Sequence, residues 1–265
     1  MTPVLEAEGL GYAVDGSTLL QDVDLEVQRG ELVAIAGPNG AGKSTLLRLL
    51  AGDLAPTAGE ARLEGRPCRS YAPRDLARLR AVLPQQTVLQ FAFTAEEVVE
   101  FGRAPHRGRF SGSIARERSV IRAAMKEADV LTFAARSFPT LSAGEQSRVS
   151  LARVLAQETP VLLLDEPTAA LDIRHQEHVM GVARRLSREG RTIVAVVHDL
   201  NLAARYADSV ALLCGGSLVA SGSPWDVLTG GTLTDVFDHP VQVVPHPGGD
   251  RPLVLAEPAW PSSSP

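Results

Sequence analysis

A chain of 265 residues with 45% hydrophobic content is long enough to bury a large core. Its formal net charge of −5 speaks against a nucleic-acid surface, and Arg103, Arg107, Arg109, Arg116, Arg118 and Arg122, mixed with Gly, Ser and Glu, read mostly as a solvated face. No apolar run approaches the roughly 18–20 residues of a membrane span, Met1–Glu6 lacks the basic and apolar regions of an export signal, and Cys68 and Cys214 stand apart as reduced thiols, so a soluble cytosolic chain is expected.

Residues 1–30 alternate through Leu20, Val23, Leu25 and Val27 and predict an antiparallel hairpin region. Leu32–Ala36 is an apolar strand and Leu46–Leu50 an apolar helix. Between them lie Gly37, Pro38, Asn39, Gly40, Ala41, Gly42, Lys43, Ser44 and Thr45, a complete G-x-x-x-x-G-K-[ST] loop. Gly37, Gly40 and Gly42 permit a tight turn whose N–H groups converge on phosphate oxygens at a helix N-terminus, where negative charge is favoured. Lys43 then reaches the β- and γ-phosphates and the Ser44 hydroxyl ligates Mg²⁺, so the loop predicts binding of a nucleoside triphosphate.

Glu60–Leu63 reads as a further strand, and from about 86 to 158 the pattern turns helical. Thr94-Ala95-Glu96-Glu97 is a capping box before Val98, Val99 and Phe101, an apolar side expected to pack within this helical lobe. Residues 108–113 read as a loop, 114–131 carry helix-spaced apolar residues, and a helix spans 146–156. Val161–Asp165 then reads as a buried parallel strand that delivers Asp165 beside Mg²⁺. Glu166 follows at once, placed to polarise an attacking water as general base. Helices near 173–189 and 201–207 flank a strand at 192–197. Ser221–Pro224 leads to a short helix, Val241–Val244 pairs with Leu253–Leu255 as a terminal hairpin, and the Pro- and Ser-rich end reads as disordered. His175 and His178, three apart on a helix, read as solvated surface, and His106, His239 and His246 are assigned no chemistry.

Leu141-Ser142-Ala143-Gly144-Glu145 resembles the LSGGQ signature of ABC-type ATPases, Ala169-Ala170-Leu171-Asp172 their D-loop, His198 their switch histidine and Leu83-Pro84-Gln85 their Q-loop. Their order along the chain agrees with the family, and the resemblance covers Leu5 to about Phe237. It implies an α/β fold: a P-loop NTPase core with an antiparallel β subdomain and an inserted helical subdomain, together forming one ATPase domain over 1–258 with a tail at 259–265. It further implies ATP and Mg²⁺ as cofactors, with Gln85 contacting metal and attacking water, and with Ser142 and Gly144 lying over the nucleotide held by Lys43 of a second copy. Ala143 and Glu145 depart from the usual Gly and Gln without threatening ATP binding. The family's adenine-stacking aromatic falls near Val14 by count, and Tyr12 lies two residues earlier on the same strand face, with a core role equally open.

The stretches Arg80–Gln86, Phe91–Val99 and Gly102–His106 resemble the importer subgroup for iron chelates, haem and cobalamin, with hemin as the leading cargo and a ferric siderophore or cobalamin as the alternative. Two copies of the chain would then work with a membrane permease, itself a dimer, and a substrate-binding protein, peripherally on the cytoplasmic face of the inner membrane and without touching hemin. In that setting Phe91 and Arg103 are expected to be exposed toward the permease. A permease-free soluble ABC ATPase is the reading from another class.

Overall fold

The computed structural model describes residues 3–85, 91–107 and 113–258. The residues of the predicted 108–113 loop before Ser113, Gln86, Arg109 and the 259–265 tail lie outside the described residues.

The chain opens with β1 (Leu5–Val14) and β2 (Ser17–Val27), then β3 (Leu32–Ala36), α1 (Lys43–Leu50), β4 (Ala58–Leu63) and β5 (Arg66–Pro67). The order β2-β1-β4-β5 makes an antiparallel sheet, whose inward positions Leu20, Val23, Leu25 and Val27 are buried. Two elements that sequence periodicity missed follow, α2 (Pro73–Leu79) and β6 (Arg80–Leu83). Leu76 is the sole buried residue of α2, so no helical stripe announces it.

The stretch between β6 and the next strand holds α3 (Ala95–Glu100), α4 (Ile114–Glu127), α5 (Ala143–Ala156) and short 3-10 segments, one of them Phe101–His106. α3 starts on a complete capping box, with Thr94 Oγ1 accepting from Glu97 N and Glu97 accepting from Thr94 N. Val98 and Val99 are buried as expected, whereas Phe101 is 41% exposed and stacks edge-on against Phe93 at 5.0 Å between ring centroids. Arg103 corrects the solvated-face reading. It is 3% exposed, and its guanidinium donates to both Glu117 oxygens, to Glu158 and to the Ala156 carbonyl, while Phe91 is indeed 70% exposed. Gly102 explains part of this burial: a Cβ there would stand 2.1 Å from the Arg153 carbonyl oxygen, so the segment can lie flat on α5 only with glycine.

The chain then alternates through β7 (Val161–Asp165), α6 (Ile173–Arg188), β8 (Thr192–Val196), α7 (Leu200–Tyr206), β9 (Ser209–Cys214), β10 (Ser217–Gly222), α8 (Pro224–Val227) and α9 (Gly230–Phe237), and ends in the hairpin β11 (Val241–Pro245) and β12 (Pro252–Ala256). The main sheet runs β10-β9-β3-β8-β7-β6, with parallel pairing from β9 to β6 and β10 antiparallel on its edge. Every residue of β3, β7 and β8 is buried, as expected of a parallel sheet covered on both faces. Side-chain alternation divides them: Val33, Ile35, Leu163 and Val194 face the core shared with α1 and the antiparallel sheet. Leu32, Ala34, Leu162 and Ile193 face the core shared with α5, α6 and α7. The fold is therefore the expected α/β nucleotide-binding core with an antiparallel sheet on one side and a group of helices between β6 and β7. Among the described residues no helix is long and apolar enough to cross a membrane.

Candidate active site

In a parallel sheet the residues just beyond the carboxyl ends of neighbouring strands converge. Here four such strands, β3, β8, β7 and β6, are adjacent. They deliver the glycine-rich loop, His198, the Asp165-Glu166 pair and Gln85 to one edge of the molecule.

The loop leaves β3 at Gly37, whose φ of +141° and whose missing Cβ, otherwise 2.0 Å from the Leu213 carbonyl oxygen, leave glycine as the residue that fits. It re-enters a helix at Gly42, the left-handed N-cap of α1, so the free N–H groups of the first turn face the loop's hollow. Lys43 is 5% exposed, and its Nζ donates to the carbonyls of Gly37 and Pro38, both at 2.8 Å. Burial pushes the Lys43 pKa down, against the pull of the Glu166 and Asp165 charges. Ser44 Oγ donates to Asp165 Oδ1 at 2.8 Å, tying the loop to the end of β7. Asp165 is buried, and that burial raises its pKa while the Ser44 hydrogen bond opposes the shift.

Glu166 stands at the centre. Its backbone adopts φ of +51°, a conformation that costs a non-glycine residue about 1 kcal/mol or more and that clusters at functional sites. Oε1 lies 2.6 Å from His198 Nε2 and Oε2 accepts from Gln85 Nε2 at 2.8 Å, so both carboxylate oxygens are held by residues from neighbouring strands. The carboxylate borders two hollows. One, of about 250 Å³, is lined by Leu19, the loop and His198; the other, of about 310 Å³, by Gln85, Gln146, Ser150 and Ala170. Gln146 and Ser150, one turn apart on α5, were not singled out from sequence, although the i, i+4 spacing of two polar residues on a largely buried helix is a signal of a polar contact.

The remaining predicted residues lie elsewhere. Ser142 N-caps α5 in a second capping box: its Oγ accepts from Glu145 N and its N–H donates to Glu145 Oε2 at 2.7 Å. The glutamate that departs from the usual Gln thus closes the start of α5, and the Ser142 N–H holds its carboxyl below the ordinary range. Gly144 faces the Ala170 carbonyl and Leu171, each 3.3 Å from where a Cβ would be. Asp172 N-caps α6 and accepts from His175 N and Nδ1 at 2.9 and 2.7 Å. His175 and His178 are accordingly not free surface, because His178 Nε2 bonds the Glu127 carbonyl. Among the described residues no cluster of three or more His, Cys, Asp or Glu could hold a metal. Tyr12 pairs with Leu20 across β1 and β2 and packs against the core, while Val14 is 42% exposed.

Comparison with known proteins adds a decisive observation: the model of the ABC transporter family matches residues 20–169. The chain belongs to the ABC transporter family. Within that family it is similar to two proteins named hemin import ATP-binding protein HmuV. The protein from Nocardia farcinica (strain IFM 10152) is 52% identical over 95% of this chain and 86% of the relative, and that from Streptomyces coelicolor (strain ATCC BAA-471 / A3(2) / M145) is 51% identical over 94% and 88%. Among solved structures it resembles an ABC transporter described as of metal-chelate type, in an inward-facing conformation, with a TM-score of 0.82 and 27% identity over 97% of this chain and 99% of that one. It also resembles MJ0796, a bacterial ABC transporter cassette solved as a dimer, with a TM-score of 0.75 and 31% identity over 83% and 98%. As an ABC transporter ATPase, the chain binds ATP and couples its hydrolysis to transport.

Proposed function

We propose that the chain hydrolyses ATP with Glu166 as general base, to drive import of hemin through a separate permease. The observation that carries the catalytic part is the clamp on Glu166, one oxygen toward His198 and the other bonded by Gln85, beside Lys43 and Ser44. Lys43 neutralises phosphate charge, and loop N–H groups at the start of α1 hold the phosphate oxygens. Ser44, Asp165 and Gln85 offer a hydroxyl, a carboxylate and an amide oxygen, hard donors that suit Mg²⁺. A cation there would compensate a carboxylate that burial makes costly to ionise. Bound Mg²⁺ would supply neutralisation of charge on the β- and γ-phosphates. Glu166 accepts the proton of the attacking water, and His198 and Gln85 fix the direction of its lone pairs.

No residue of the α5 start lines the hollow over the phosphate loop, which supports a two-copy arrangement in which one chain's α5 start covers the nucleotide of the other. In this reading the pair sits on the cytoplasmic face of the inner membrane against a permease dimer, a substrate-binding protein hands hemin to that permease, and this chain never touches it. The names of the relatives support hemin, at 52% and 51% identity. The metal-chelate description of the structural neighbour favours a broader second reading, a ferric siderophore or cobalamin as cargo. The cellular test separates them. Deleting the gene should abolish growth on hemin as sole iron source and leave siderophore and cobalamin uptake intact; the reverse outcome would keep the importer and reject hemin.

A further inference from the structure

α7 follows His198 after a single residue, the N-cap Asp199, whose Oδ1 accepts from Asn201 N and Leu202 N. It spans two turns, too short to hold its own direction. It packs on the core through Leu202, Ala203 and Ala204 and bonds Glu177 of α6 through Arg205 and Tyr206, and the far end of the chain holds it on a further side. The Asn201 carboxamide faces β12 as a peptide group would, with Nδ2 donating to the Val254 carbonyl at 3.1 Å and Oδ1 accepting from Val254 N at 2.8 Å. At the other end of α7, Arg251 Nη1 donates to the Ala207 carbonyl at 3.1 Å. Residues just before and within β12 therefore grip both ends of the helix that follows the switch histidine.

The hairpin itself needs such anchoring, since an isolated two-stranded sheet is marginal in water. It is tied down on its other strand by Thr234 Oγ1, which accepts from Val241 N, and both strands pack on the core, β11 through Val243 and β12 through Val254. The Asn201 amide also occupies main-chain groups of β12 that would otherwise stand free at a sheet edge. None of these contacts touches the nucleotide loop.

We propose that the C-terminal hairpin is a positioning clamp: through Asn201 at the first turn of α7 and Arg251 at its last it fixes the helix and thereby aims His198 at Glu166. Asn201 is a positioning residue and acts through the 2.6 Å contact between His198 Nε2 and Glu166 Oε1. The proposal rests on the reading of His198 and Glu166 as parts of the hydrolytic site. A shift of the ring by about 1 Å is enough to cost a large factor in rate without changing how ATP is held.

The test uses the full chain carrying Asn201→Ala, Asn201→Asp or Arg251→Ala, each checked for thermal stability, with two readouts: steady-state ATP hydrolysis, and the ring resonances of isotope-labelled histidine, His198 being assigned from His198→Ala. Asn201→Ala should lower kcat about tenfold, leave the KM for ATP within about twofold, and displace the His198 resonance. Asn201→Asp keeps the acceptor but sets a carboxylate against the Val254 carbonyl, and should behave alike. Arg251→Ala should act in the same direction and more weakly. An unmoved His198 resonance in all three variants overturns the clamp, whatever happens to the rate. So does a displaced resonance with unchanged kcat, or a loss carried by KM alone. Full hydrolysis by His198→Ala would instead overturn the role given to His198, and the resonance would still report on the clamp.

Discussion

Lys43 and Glu166 both border the hollow over the phosphate loop, yet they should fail differently when changed. Lys43 is buried with its ammonium turned on the loop carbonyls, so Lys43→Ala removes the cation and loosens the loop at once. ATP binding should weaken and hydrolysis should disappear. Glu166→Gln keeps the shape and one oxygen acceptor, and so leaves the contacts toward His198 and Gln85 partly in place. Nucleotide binding should persist while turnover falls roughly 10²-fold or more, about 3 kcal/mol of barrier. Equilibrium binding of a fluorescent ATP analogue beside a phosphate-release assay separates the two, and near-normal turnover by Glu166→Gln would sink the general-base assignment. At this scale the sequence is most transparent, because local strand and helix patterns already define where the loop, Asp165 and Glu166 stand. Arg103 was opaque for the opposite reason. Its partners Glu117 and Glu158 stand 14 and 55 residues away, and no local pattern says that an arginine will be enclosed by them.

Among the elements, the helices between β6 and β7 depend on such enclosed or capping charges. Arg103→Leu would strip the cation from Glu117 and Glu158, which are 23% and 38% exposed and so can be partly rehydrated. A loss of about 2–3 kcal/mol is expected, below the usual figure for a fully buried pair, and urea unfolding would measure it. Arg103→Glu should be worse, a folding defect rather than an uncoupling of hydrolysis from transport. Acid should act on the same region. The Thr94 backbone N–H lowers the Glu97 pKa, Arg103 lowers that of Glu117, and the Ser142 N–H lowers that of Glu145. A depressed carboxylate contributes stability that is present above its ordinary value, 4.5 for glutamate, and is lost as pH falls through the lower folded value. Hydrogen exchange should therefore show the starts of α3 and α5 loosening below about pH 4.5 before the parallel sheet does; uniform protection down to global unfolding would refute this. The α3 capping box was legible as Thr94 and Glu97, three apart before an apolar run. α2 and β6 were not, because with Leu76 as its one buried residue α2 has no stripe, and a four-residue strand has too few positions to display a period.

For the whole molecule, the positions of Ser142, Gly144 and Asp172 present the strongest case for a second copy. Ser142 is exposed at the start of α5 and Gly144 packs toward the Ala170–Leu171 turn of its own chain, away from the hollow over the phosphate loop. Beside them Ile173 is 78% exposed at the start of α6, a large apolar side chain next to Asp172 with solvent on most of its surface. A second copy turned by a two-fold axis would bring one chain's α5 start to the other's loop, and a twofold interface repeats every such contact. Nucleotide would be part of that interface, because two helix N-termini would then share one set of phosphates. Dimerisation should consequently depend on ATP. Glu166→Gln, expected to bind ATP with strongly reduced turnover, should sediment as a dimer with ATP and Mg²⁺ and return to monomer when nucleotide is removed, by the linkage that couples binding to assembly. Ile173→Glu should weaken this dimer while leaving nucleotide binding to the monomer intact. A chain that stays monomeric with ATP, both alone and beside its permease, would leave Ser142 and Gly144 without a nucleotide to meet and would force a different account of the α5 start.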